Sequence, residues 1–202
     1  MTSKDIVGGL VPGEKQRYIQ VASGVWAELI AIATGIMAAS DDSLSVIDHA
    51  HRKLHEGKLF TVDTRAEHGS ELANDSALNL LIATGDKETH ILWAVAAGGD
   101  AELYVYESPT TAGGSPIIPT NHRIGGDASG VTITEGVTGA TSGTELGYWF
   151  FPGGSGPQAS GVDMRGHNEF DVPPNTAISF VLYNRAGSSQ IMRLGASWYE
   201  EG

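Results

Sequence analysis

After residue 57 the chain breaks into short apolar runs that alternate along their length, each closed by Gly, Pro, Asn, Asp or Ser, and none keeps a 3.6-residue period over a helix length. Such a texture predicts antiparallel β-structure. The spacing places strands over 58–63, 77–84, 88–97, 101–107, 131–135, 145–151, 168–172, 177–184 and 189–200. Gly85-Asp86 and Gly98-Gly99-Asp100 read as tight reversals, and 108–128 and 152–166 as longer loops. Eight or nine short strands with no strand–helix alternation predict an all-β fold, an antiparallel jelly-roll-like β-sandwich over 57–202. The 27 glycines, mostly in turn-like clusters after residue 97, agree with a chain that reverses often.

Residues 1–56 have a different texture. Gln16 to Val21 and Val25 to Ile32 flank Ser23-Gly24 and predict a β-hairpin; a helix over 25–38 competes, because Ala, Leu, Glu and Met favour it. A polar break at Ala39 to Ser43 leads into 44–56, whose period is ambiguous between a strand and a short helix. A two-stranded element is marginal alone in water, so 1–56 is expected to be an extended N-terminal arm that docks on something else.

Twelve Lys and Arg against twenty-four Asp and Glu give a net charge of -12, which repels phosphate backbones and anionic bilayers. The densest basic run, Arg52-Lys53-Leu54-His55, is short and abuts Glu56. Neither nucleic acid nor membrane is therefore expected as a partner. The chain has no cysteine, so disulfides, thiolate catalysis and Cys-ligated zinc are absent together. The N-terminus lacks the layout of a secretory signal, and the longest apolar run, Val25 to Ala33, is interrupted by Glu28 and too short to span a bilayer. These features predict a soluble chain made in the cytoplasm.

The densest group of metal-ligating side chains is His49, His51, His55 and Glu56, with His68 beyond. On a strand His49 and His51 would share a face; on a helix His51 and His55 would. The spacing of His49, His51 and Glu56 matches part of the first metal motif of cupins, which are jelly rolls. Ser43 stands where cupins place a glycine, and their second motif has no counterpart here. A histidine-rich connector explains these residues without a metal. The run Gly153 to Gly161 holds glycines spaced loosely like a dinucleotide loop, but it leads into another strand and lacks the Gly-Lys-Ser/Thr of a P-loop. No Gly-x-Ser-x-Gly elbow occurs, and Asp75, Asp86, Asp100 and Asp127 sit at turns, where Asp bonds the backbone. The expectation is a non-enzymatic protein without a cofactor.

The aromatic residues carry the stronger signal. In Glu102-Leu103-Tyr104-Val105-Tyr106-Glu107 one strand face bears Leu103 and Val105 and the other Tyr104 and Tyr106, so both faces are partly covered. Tyr148-Trp149-Phe150-Phe151 and Trp198-Tyr199 repeat the theme. A strand apolar on both sides needs a second cover, from another layer or another subunit. The candidate interface residues are Tyr18, Trp26, Trp93, Tyr104, Tyr106, Tyr148, Trp149 and Trp198.

With the strands in place, a series of markers falls in a characteristic order: His55 to Val62, Thr89-His90-Ile91-Leu92-Trp93, Gly99 to Glu107, Asn121-His122-Arg123, Gly143-Thr144-Glu145-Leu146, Pro174-Asn175-Thr176 and Ala196-Ser197-Trp198-Tyr199-Glu200. In that order they resemble a family of head decoration, or cement, proteins of tailed bacteriophages, over about residues 49–200. The resemblance implies a jelly-roll-like homotrimer on the outer capsid surface of the virion that cements neighbouring major capsid proteins. It implies no catalytic residue. Similar proteins occupy tail or fibre positions, and long loops bearing Tyr, Trp and Asn also suit a glycan-binding module; a cupin-type metal enzyme using His49, His51 and Glu56 is the remaining alternative.

Overall fold

The structure is a computed structural model that describes residues 51–153 and 169–201, together with the backbone of residues 49–50 and of four short strands outside them. Three of those, β1 (Asp5–Ile6), β2 (Gln16–Ala22) and β3 (Val25–Leu29), form an antiparallel sheet in the order β1-β2-β3. The hairpin expected around Ser23-Gly24 is thus the β2–β3 pair, which extends to Arg17 opposite Leu29.

Chain contacts divide the molecule into 1–48 and 49–202. α1 (His49–Glu56), which the sequence reading placed in the arm, falls within the second unit. Buried Lys53 projects from α1 and places Nζ 2.8 Å from a Glu201 carboxylate oxygen, and the Arg123 guanidinium donates to the His55 carbonyl at 2.9 Å. Gly57, at φ +72°, ends the helix: its N–H returns to Leu54 O and that of Lys58 to Lys53 O, the paired bonds of a left-handed C-terminal cap.

Beyond α1 lie β4 (Leu59–Ala66), β5 (Ala77–Ala83), β6 (Thr89–Ala97), β7 (Ala101–Glu107), β8 (Ser115–Ile117), β9 (Thr120–Asn121), β10 (Thr132–Glu135), β11 (Thr144–Phe151), β12 (Ser160–Val162), β13 (Glu169–Val172), β14 (Ala177–Asn184) and β15 (Met192–Glu200). All nine strands expected from the spacing are present; β8, β9 and β12 are additions within the expected long loops. One sheet runs β11-β7-β14-β5-β10-β8, the other β12-β6-β15-β4-β9, with β13 also on β6, and every pairing is antiparallel. Among the eight principal strands, β4-β15-β6-β13 fills one sheet and β5-β14-β7-β11 the other. Successive strands therefore switch sheets from β4 through β7, and return by the mirrored path from β11 through β15. This is the double Greek key of a jelly roll. The all-β sandwich read from the sequence is the fold.

Alternation fills the core. The buried positions of β6 are Thr89, Ile91, Trp93, Val95 and Ala97, and β4 buries Phe60, Val62, Thr64 and Ala66. Trp93 and Trp198 are among the largest fully enclosed side chains, and Trp198 stacks on Phe60 with centroids 5.9 Å apart. At about 25 cal/mol per Å² over roughly 150–250 Å², each buried indole is worth about 4–6 kcal/mol of apolar burial. Trp198 also donates its indole N–H to Ser129 Oγ, which itself donates to the buried Glu200 carboxylate at 2.6 Å.

Candidate interaction surface

The outer face of the β11-containing sheet has two halves. Over β5 and β14 it is roofed by the segment after β10, where Val137 and Ala140 pack on Val181. Asn79 clamps this roof: its Oδ1 accepts from Val137 N–H at 2.9 Å and its Nδ2 donates to Val137 O at 3.1 Å. Ser179 Oγ donates to Ala140 O. The roof explains how β14 can be buried on both faces.

Over β7 and β11 the roof stops and an aromatic field begins. Strand register sets Tyr148 opposite Tyr104, and Tyr104 opposite Val181. Tyr104 lies at the centre, with ring centroids 5.0 Å from Tyr148, 5.8 Å from Tyr183 in an edge-on contact and 6.3 Å from Tyr106 in a stacked one. Arg185 caps Tyr183 at 4.7 Å and bridges Glu102 and Asp75, both at 2.7 Å, while Tyr148 donates its hydroxyl to Glu102. Tyr148 and Phe150 remain 47% and 51% exposed, so they are wetted although they belong to a packed sheet. Desolvation by the neighbouring rings holds the Tyr104, Tyr106 and Tyr148 hydroxyls above the usual tyrosine range, with Glu102 adding to this at Tyr148.

This field borders an edge strand. β11 ends its sheet, and its sequence Thr-Glu-Leu-Gly-Tyr-Trp-Phe-Phe carries neither Lys nor Pro. A bulge between Glu145 and Gly147 is its one irregularity. At the opposite edge β8 has three residues, one of them Pro116, the usual device for blunting an edge.

Of the interface candidates, Tyr104, Tyr106 and Tyr148 lie on this field. Trp93 and Trp198 do not; they are core residues, 2% and 0% exposed. Trp149 also turns inward, 5.0 Å from Trp93 and edge-on to Phe170. The correction follows from strand phase: an aromatic flanked by core residues two positions away points with them, as Trp93 does between Ile91 and Val95. Phe150 and Tyr183 belong to the field and were missed, although alternation from Tyr148 and Val181 would have found both. Tyr18 and Trp26 sit on β2 and β3, and their side chains lie outside the described residues.

The metal candidates His49, His51 and Glu56 all fall on α1. Positions 49 and 51 stand about 200° apart around a helix axis, which separates them; the His49 side chain lies outside the described residues. Glu56 instead pairs with Arg52 at 2.8 Å, and His51 Nε2 meets His55 Nε2 at 2.9 Å, the pairing a helix predicts.

A different group lies on the outer face of the second sheet. Glu88, His90 and Asp171 place one ligand atom each within 4.8 Å of one another. Asp171 on β13 stands directly across from His90 on β6, with its Oδ1 4.0 Å from His90 Nε2. His90 Nδ1 lies 3.1 Å from Glu169, whose carboxylate also accepts the Tyr199 hydroxyl at 2.9 Å, and the Tyr199 ring stacks on the imidazole at 4.7 Å. Asp171 beside Glu88 raises the Glu88 carboxyl above its usual range. Nearby, between the sheets, a cleft of about 330 Å³ is lined by Leu146, Phe170, Val172, Pro173 and Ile178, with Glu107 and Asp171 at its polar side.

No family model and no curated protein matches the chain. Among solved structures, a point mutant of the VP2 protein of infectious bursal disease virus, in derived T=1 particles, aligns at 12% identity over 96% of this chain and 51% of that one, with a TM-score of 0.11. The chain spans about half the length of that protein.

Proposed function

We propose that this protein is a non-enzymatic structural subunit that assembles through its aromatic face, as a homotrimer on the outer surface of a tailed-phage capsid, where it braces neighbouring major capsid proteins. The observation that carries the assembly is the continuity of half-exposed Tyr148 and Phe150, backed by the partly buried Tyr104, Tyr106 and Tyr183, with the long edge strand β11, which carries neither Lys nor Pro. An aromatic edge of this length is an aggregation liability in a lone subunit and an interface core in an assembled one. Tyrosine suits such a surface, since its ring adds contact area at little entropy and its hydroxyl finds a partner at the rim. The capsid location rests on the ordered markers that resemble head decoration proteins. The N-terminal 48 residues are the segment proposed to grip the shell.

Light scattering on the eluting chain is expected to give a trimer mass, and Phe150→Glu combined with Tyr104→Glu a monomer. A wild-type monomer at micromolar concentration defeats the assembly. Failure of a wild-type trimer to bind capsids stripped of it defeats the location, and binding to a glycan array in its place favours a receptor-facing module.

A further inference from the structure

We infer that Glu88, His90 and Asp171 form a binding site for a divalent transition cation of the zinc type, independent of the aromatic face and of the histidines of α1. The ligand set is mixed: one imidazole nitrogen and two carboxylates, whose atoms already lie within 4.8 Å of one another. Tetrahedral zinc, with bonds of about 2.0–2.2 Å, sets its ligand atoms roughly 3.3–3.6 Å apart, so side-chain rotations that move the ligand atoms by up to about 1.5 Å close the site. Backbone geometry supplies the framework. Glu88 and His90 are two residues apart on one strand path, and β-pairing fixes Asp171 opposite His90.

The imidazole is held as metal-ligating histidines are held. Glu169, outside the ligand triad, engages Nδ1, and Tyr199 both hydrogen-bonds that carboxylate and stacks on the ring. With Nδ1–H donating to Glu169, the free lone pair sits on Nε2, on the side of Asp171. Among the described residues neither the Glu88 nor the Asp171 carboxylate forms an ion pair with Lys or Arg, and Asp171 faces the imidazole. An imidazole ligand favours zinc over calcium and magnesium, which prefer all-oxygen shells. Three protein ligands leave a coordination position open to water or to a neighbouring chain.

The test is calorimetric titration of the full-length, chelator-stripped protein with zinc chloride, and separately with calcium chloride. Saturable binding of one zinc per chain is expected, with calcium at least tenfold weaker. His90→Ala and Asp171→Asn should each abolish it, and Glu169→Gln, which loosens the ring without removing a ligand, should weaken it about tenfold. Far-UV circular dichroism on each variant establishes that the sandwich persists, and zinc should raise the melting temperature of wild type but not of His90→Ala. Absence of saturable zinc binding overturns the inference. So does zinc binding that survives both ligand substitutions, or that disappears only in a His51→Ala, His55→Ala double variant.

Discussion

Single side chains here do work far out of proportion to their size when they hold a loop to a sheet. Asn79 satisfies both backbone groups of Val137, so Asn79→Ala leaves a buried N–H and C=O without their partner and uncovers Val181. The expected loss is about 2–3 kcal/mol, read as a lower urea midpoint. Gly139 serves the same roof by conformation: at φ +74° an added Cβ would also collide with Thr110 O. Gly139→Ala should therefore destabilise by roughly 2 kcal/mol or more, because backbone strain and a hard contact coincide. Glu71 is a contrasting, solvent-exposed case. Hydrogen bonds from the Gly69 N–H and its own N–H, then His68, pull its carboxyl down to about 2. A depressed folded value means a contribution present above 4.5 and lost as pH falls toward 2. Protection factors of the 68–71 amides, taken against the intrinsic exchange rate at each pH, should fall across that acid window in wild type and stay flat there in Glu71→Gln.

At the scale of elements, β11 and β8 contrast as the two edges of one sheet. One edge is long and aromatic, the other short and interrupted by Pro116. The Tyr104, Tyr106 and Tyr148 hydroxyls, held above their usual range by desolvation, give the element a spectroscopic signature. A raised folded value means that the stability they contribute is intact below about pH 10 and is lost as pH climbs past it. Absorbance at 295 nm should thus lag behind that of the urea-denatured chain, then rise abruptly when the fold gives way. A native curve superimposable on the denatured one would show these rings freely wetted and unstacked.

For the whole molecule, the division at 48/49 predicts that residues 49–202 fold without what precedes them. The fragment should show the β-sheet dichroism and cooperative melting of the full chain, provided α1 is kept. Removing α1 as well takes away buried Lys53 and the Arg123 anchor on His55, so 57–202 should melt several degrees lower. If the N-terminal segment grips the shell, the 49–202 fragment remains trimeric by light scattering and no longer binds stripped capsids.

The strands and the jelly-roll class were readable in the sequence because alternation and turn residues are local signals, and local sterics fix both. The Tyr104 and Tyr106 face was readable for the same reason, as was the His51–His55 pair once a helix was admitted. Tertiary structure decided which aromatic faces close against the opposite sheet: Trp93 on β6 meets Trp149 and Phe151 of β11, in the facing sheet and far along the chain, and Trp198 joins the same core. It likewise decided the acid–imidazole cluster, since His90 and Glu169 stand 79 positions apart and meet only where β13 pairs with β6. Local patterning specifies what a segment becomes, whereas register between distant strands specifies which side chains meet.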